Sequence, residues 1–296
     1  MNGKGDNDER ELERINRELA RQTAAMNQRP DPEMGGLSPE QVHRLIHSPW
    51  GETGGAIQFN ETIPLSDLTG SPYFREMREL LLAAVRHDGI KATAKQNLPR
   101  SFVTERMEAP GDEETKALIR KHNKVINEHD YFLVHVARVV CQVAGLLRLQ
   151  KGRFVVPQKY RDLLGEERAG SLYGTLLRAF FTRFNLSYLV HYGKETPSIQ
   201  RCAAYTILRL GTVAREWRTI EEIYSEVFLP ALRGEIEQTQ VDWTYGTPAS
   251  ETAYRLLHPL INWGLLEGRE EKEGPIKSLE SVRTSPLHNA FFRFNV

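Results

Sequence analysis

The sequence predicts a mainly α-helical protein with small β-hairpins, built as two winged-helix-like domains plus a helical N-terminal arm. Three observations predict it. Apolar residues recur at helical spacing through most of the chain. Twice, an apolar helix ends in Gly and runs through Leu-Leu into a charged hairpin, first in "AGLLRLQKGRFVV" and again in "WGLLEGREE" with "LESVRT". Finally, 40% apolar and 26% charged residues in a 296-residue chain are globular values with room for two cores. The echo between the halves has no fixed period, so it is architectural. The expected segments are a charged helix and linker at 1–36, a helix and extended stretch at 37–69, a winged-helix-like domain at 70–165, a linking helix at 166–195 and a second such domain at 196–296.

Residues 1–8 are expected to be irregular. From Glu9 to Met26, Leu12, Ile15 and Leu19 mark a narrow apolar stripe on a charged helix. Such a stripe either docks on the body or pairs with a second copy, and docking is the commoner outcome. "NQRPDPEMGG" is a linker or bracing arm. In "LSPEQVHRLIHSPW", Ser38 caps, Pro39 opens the helix, Gln41 completes a capping box and Pro49 stops it. "AIQFNETIPLSDLTG" reads as extended.

The first domain then follows in order. Phe74–Arg86 is an amphipathic helix, Asp88-Gly89 a turn and "IKATA" a short extended piece. "NLPRSFVTERM" is a second helix with Asn97 as its cap, Thr115–Val125 an inserted helix, and Asp130–Ala144 a strongly apolar helix ended by Gly145. "LLRL", "QKG" and "RFVV" make strand, turn and strand, and "PQKYRDLLG" opens the next helix. "RAGSLYGTLLRAFFTRFNLSYLVHY" is connecting core, one helix or a pair. In the second half, "SIQRCAAYTILRLG" is a helix ended by Gly211. "TIEEIYSEVFLPAL" has Thr219 and Glu222 as a capping box, and "SETAYRLLHPLINWG" is bent by Pro259. "LLEGREEKEGPIKSLESVRTSP" is a second hairpin with a long tip, and "LHNAFFRF" closes the domain.

The formal net charge is zero but unevenly spread: −5 over residues 1–85, +10 over 86–218, −7 over 219–280 and +2 over the last 16. A neutral total excludes an indiscriminate nucleic-acid coat. The basic middle fits an anionic partner, and equally an internal match to the acidic flanks. No acid occurs between Asp130 and Asp162, while Arg138, Arg148, Lys151, Arg153, Lys159 and Arg161 do. Cations on a hairpin lie along phosphate and fix register. "IKATAKQNLPRSF" adds Lys91, Lys95 and Arg100, with Gln96 and Asn97 as polar contacts. Against this, "YFLVHVARVVCQVA" has no polar face beyond His135, Arg138 and Gln142, unlike a helix that reads a major groove.

Catalytic signatures are missing: no P-loop, no GxGxxG after a strand, no HExxH and no GxSxG. His87, His122, His129 and His135, with Asp88 and Asp130, match no metal-ligand spacing; His87-Asp88-Gly89 reads as a helix end and His129-Asp130 as a helix start. Trp217, Trp243 and Trp263 read as core or interface anchors. Cys141 and Cys202 sit in apolar runs and are expected buried and reduced, which with no signal-like N-terminus and no apolar stretch of membrane length points to a cytoplasmic protein.

"RPDPEMGGLSPEQVHRLIHSPW", then "IQFN" and "GIKATAKQNLPRSFV", resemble a group of bacterial proteins with motifs of the form "GGLSPEQMHRLLY.PF" and "GG.KATAKGNLPRKFV", over residues 10 to 165. Some of that group end in a small metal-binding SEC-C motif. This chain has Gln96 where the motif usually has Gly, and no terminal cysteine cluster, so the resemblance implies no zinc. It implies a coherent fold and supplies no active site. The expectation is a non-catalytic, cofactor-free binding protein that associates with DNA or RNA through the basic middle. The alternative is a protein-interaction or dimerisation module, and a hydrolase around His87, His122 and His129 is a distant third.

Overall fold

The structure, a computed structural model, describes residues 3–189, 196–239, 247–273 and 276–296. Trp243, the end of the linking segment at 190–195 and the tip of the second hairpin at 274–275 lie outside the described residues. The fold is mainly helical, with antiparallel sheets of two or three strands.

Helix α1 (Gly3–Gln28) starts earlier than expected, and its stripe does not dock: Leu12, Ile15, Leu19 and Met26 remain exposed. A stripe of one residue per turn covers too little area to hold a helix against a globular surface. The linker that follows is braced, because Arg209 donates to the Gly35 carbonyl at 3.0 Å. Helix α2 (Pro39–His47) carries the full capping box of Ser38 and Gln41 and buries Val42 and Leu45. Strand β1 (Ile57–Phe59) and a short helix α3 (Leu65–Leu68) lead to α4 (Pro72–Arg86), which buries Phe74, Met77, Leu80 and Leu81.

Beyond α4 come β2 (Ile90–Lys91), α5 (Arg100–Glu108), α6 (Glu113–His122), α7 (Phe132–Val143), β3 (Arg148–Gln150) and β4 (Arg153–Val155). Asn97 does not cap α5. Pro99 stands at the N-cap without a side-chain cap, and Asn97 instead closes a small loop in which its N–H bonds Thr93 Oγ1 and its carbonyl accepts from the Thr93 N–H. Within that loop Gln96 adopts φ 59, the left-handed region that favours glycine. The tight turn of the hairpin is Lys151-Gly152, both at positive φ, as its right-handed twist requires.

After two 3-10 segments, α8 (Ala169–Thr182) runs through the middle of the core and buries Leu172, Tyr173, Leu176, Leu177, Phe180 and Phe181. Helices α9 (Pro197–Arg201) and α10 (Ala203–Val213) are separated by a break at Cys202. Gly211 does not end α10. It lies inside the helix, where a Cβ would meet the His288 ring at 2.7 Å, so its lack of a side chain serves close packing. Then follow β5 (Arg218–Thr219), α11 (Ile220–Val227, with its Thr219–Glu222 capping box), α12 (Pro230–Thr239), α13 (Pro248–Thr252) and α14 (His258–Asn262). Residues 253–257, between α13 and α14, form a π-helical turn next to Pro259, which lacks an N–H for the regular ladder. The hairpin β6 (Leu266–Glu273) and β7 (Ile276–Thr284), helix α15 (Pro286–Phe291) and β8 (Phe292–Phe294) complete the chain.

The two halves share one order: helix, short strand, a run of helices, hairpin. Their sheets also share one topology, since β2-β4-β3 and β5-β7-β6 each add the lone strand to the second strand of the hairpin. The last strand returns to the first: β8 pairs antiparallel with β1, Ile57 opposite Phe294. Trp263 joins the halves: it is fully buried, its ring contacts Tyr73, Tyr173 and Phe180, and its carbonyl accepts from the Tyr173 hydroxyl at 2.6 Å. Trp217 is half-buried, with the guanidiniums of Arg269 and Arg283 over its ring. Among the described residues no helix is long and apolar enough to cross a membrane.

Candidate nucleic-acid interface

The three-stranded sheet β2-β4-β3 sorts its side chains by alternation. Ile90, Phe154 and Leu149 lie opposite one another and turn to the core. Lys91 and Gln150 both lie opposite Arg153, and Arg148 is two residues from Gln150, so all four share the outer face. Lys91, Arg148, Gln150 and Arg153 are exposed accordingly. Lys151 stands at the hairpin turn beside them. A bond from Ala92 N to the Gly152 carbonyl, 2.8 Å, holds the loop carrying Lys95 and Gln96 next to that turn.

The sheet therefore gathers Lys91, Lys95, Gln96, Arg148, Lys151 and Arg153 at one end of the first half. Among the described residues none of these cations pairs with a carboxylate. Arg153 is nevertheless committed: its guanidinium donates to the carbonyls of His87, Asp88 and Gly89, with distances of 2.5–3.1 Å, and so holds the C-terminus of α4, where a cation is favoured. A cavity of about 460 Å³ lies beside the face, lined by His87, Lys91, Thr93, Phe102, Glu105 and Arg153. Arg100 is exposed at the start of α5 and donates to Asn127 Oδ1 at 2.9 Å. Asn97 is half-buried in its loop. Lys159 and Arg161 leave the sheet altogether: they lie on the 3-10 segment Gln158–Leu164, with the Lys159 ammonium over the Tyr160 ring and Arg161 half-buried.

Helix α7 presents no groove-reading face, because its polar side chains turn inward. Glu128, fully buried, accepts from His135 Nδ1 and Arg138 Nε at 2.6 Å each and from the Leu98 N–H. Arg138 also bonds Gln142, and His135 Nε2 meets the Tyr188 hydroxyl at 2.7 Å. Burial alone would raise the Glu128 carboxyl, but the hydrogen bonds and the Arg138 charge outweigh it and hold it below the ordinary range. A second buried pair, Glu76 with Arg106, joins α4 to α5 through two bonds of 2.9 and 3.1 Å. Sequence reasoning missed both networks. The His135-Arg138 spacing was visible, but Glu128 is seven and ten positions from the two cations it binds and Tyr188 is 53 positions from its partner.

His87 lies at the exposed end of α4, His122 in the last turn of α6, and the His129 ring 4.2 Å from that of His135. Among the described residues no group of three or more His, Cys, Asp or Glu is placed to hold a metal ion. Cys141 and Cys202 are free and buried, and burial pushes both thiols up, Cys202 to about 11.

No curated protein and no solved structure matches the chain. Residues 69–170, from the start of α4 through the basic sheet and the Glu128 network to the first residues of α8, match the Y4jL N-terminal domain family.

Proposed function

We propose that the chain is a non-catalytic nucleic-acid-associating protein that lays the outer face of β2-β4-β3 along a phosphate backbone, the two halves acting as winged-helix-like frames. The observation that carries this reading is the grouping of Lys91, Arg148 and Lys151 as exposed cations, unpaired among the described residues, on one sheet face and its turn. Contact is made by the hairpin and not by a helix in the groove, so binding is backbone-directed and weakly selective in sequence. Fluorescence anisotropy with mixed-sequence duplex DNA and single-stranded RNA tests it. Binding at low salt that fades at moderate salt is expected, and no binding of either at low salt removes the reading.

A second reading rests on α1, whose Leu12, Ile15, Leu19 and Met26 stay exposed at alternating spacings of three, four and seven. That is the seam of a helix pair, and it favours self-association as the chain's interaction mode. Light scattering with and without residues 1–36 tests it; an unchanged monomer in both removes it.

A further inference from the structure

Away from the basic sheet, a cavity of about 530 Å³ opens between the turn after α2, the end of α8 and α9. Its volume suits a small molecule. One wall is aromatic: Trp50, nearly buried, stacks on Phe181 with centroids 5.3 Å apart and planes 19° from parallel. The other walls include three arginines, Arg178, Arg183 and Arg201, and a single exposed carboxylate residue, Glu52.

Arg183 and Arg201 are oriented by the protein, through the Val143 carbonyl at 3.3 Å and Ser198 Oγ at 2.8 Å. The guanidinium of Arg178, half-buried on α8, makes no hydrogen bond among the described residues. None of the three pairs with a carboxylate among the described residues. A cation at a helix C-terminus is favoured by the helix dipole, which accounts for an arginine at 183 and at 201. It does not account for three arginines lining one concave, aromatic-walled space with a single carboxylate residue beside them.

We propose that this cavity is a binding site for a small phosphate monoester bearing a ring or apolar group. The planar guanidinium forks suit phosphate oxygens, and the Trp50 wall suits the ring. The site is separate from the sheet face and does not rest on the nucleic-acid reading.

Calorimetry with phenyl phosphate, inorganic phosphate and phenol tests it on the full chain. Phenyl phosphate is expected to bind more tightly than either part alone. The pair Arg178→Ala and Arg201→Ala together should weaken it at least about tenfold. Glu52→Gln, at an exposed position that leaves folding intact, should tighten it, which keeps the test valid if the arginine variant misfolds. No heat at millimolar phenyl phosphate, unchanged affinity in the arginine variant or no tightening in Glu52→Gln would each overturn the proposal. Displacement of phenyl phosphate by an oligonucleotide would also overturn it, by giving the cavity to a polynucleotide backbone.

Discussion

Glu128 is the most consequential single side chain outside the hydrophobic core. It is fully buried, and its two oxygens take three donors, from Leu98, His135 and Arg138. Glu128→Gln keeps the shape but removes the charge opposite Arg138, whose side chain is itself only 11% exposed, and turns an amide N–H₂ toward one of the donors. Breaking a buried pair from one side costs about 3–5 kcal/mol. Spread over a chain of this size, that lowers the melting temperature by about 5–8 °C. The pH dependence has a definite sign. The folded carboxyl sits below its unfolded value of about 4.3, so its contribution is present above that pH and is lost as pH falls through the folded value. Urea unfolding followed by circular dichroism at neutral pH and in acid measures both effects. The gap between parent and variant should be wide at neutral pH and close in acid. A gap under about 1 kcal/mol at neutral pH, or one that does not close in acid, would refute the reasoning.

Further predictions concern other positions. Gln96→Gly relieves a left-handed residue and should stabilise the fold by about 0.5–1 kcal/mol, read as a higher urea midpoint; a loss would mean the Gln96 side chain makes a contact that matters. Gly170→Ala would place a Cβ 2.4 Å from the Glu61 carbonyl, against backbone that cannot rotate away, and should cost about 1–3 kcal/mol in the same assay. Glu76→Leu alone strands Arg106 and should cost about 3–5 kcal/mol, while Glu76→Leu with Arg106→Met should recover most of the loss in a double-mutant cycle.

What the sequence made legible was local. The capping boxes at Ser38 and Thr219 lie within four residues of chain and form as written. The Lys151-Gly152 turn, the stop at Gly145 and the bend at Pro259 are likewise set by single-residue backbone chemistry. Asn97 failed as a cap because the loop from Thr93 competed for its backbone, a choice decided by neighbours and not by propensity. Pairings across the chain were out of reach. β1 pairs with β8 from the far end of the chain, and β2 is a third strand because Ile90 lies opposite Phe154. For the candidate interface, residue types and order were readable but their sharing of a face was not. Lys91 and Arg148 come together through the register of β4, whereas Lys159 and Arg161, only a few residues on, are carried off by a 3-10 turn.

The most direct measurement is the salt dependence of duplex binding for the parent and for Lys91→Glu with Arg148→Glu and Lys151→Glu. If Lys91, Lys95, Arg148 and Lys151 each neutralise one phosphate, log affinity should fall against log salt with a slope of about −3.6, and the triple variant should lose nearly all of it. A variant that binds with the parent's affinity and slope would place any nucleic-acid contact elsewhere on the molecule and contradict the assignment of this sheet face.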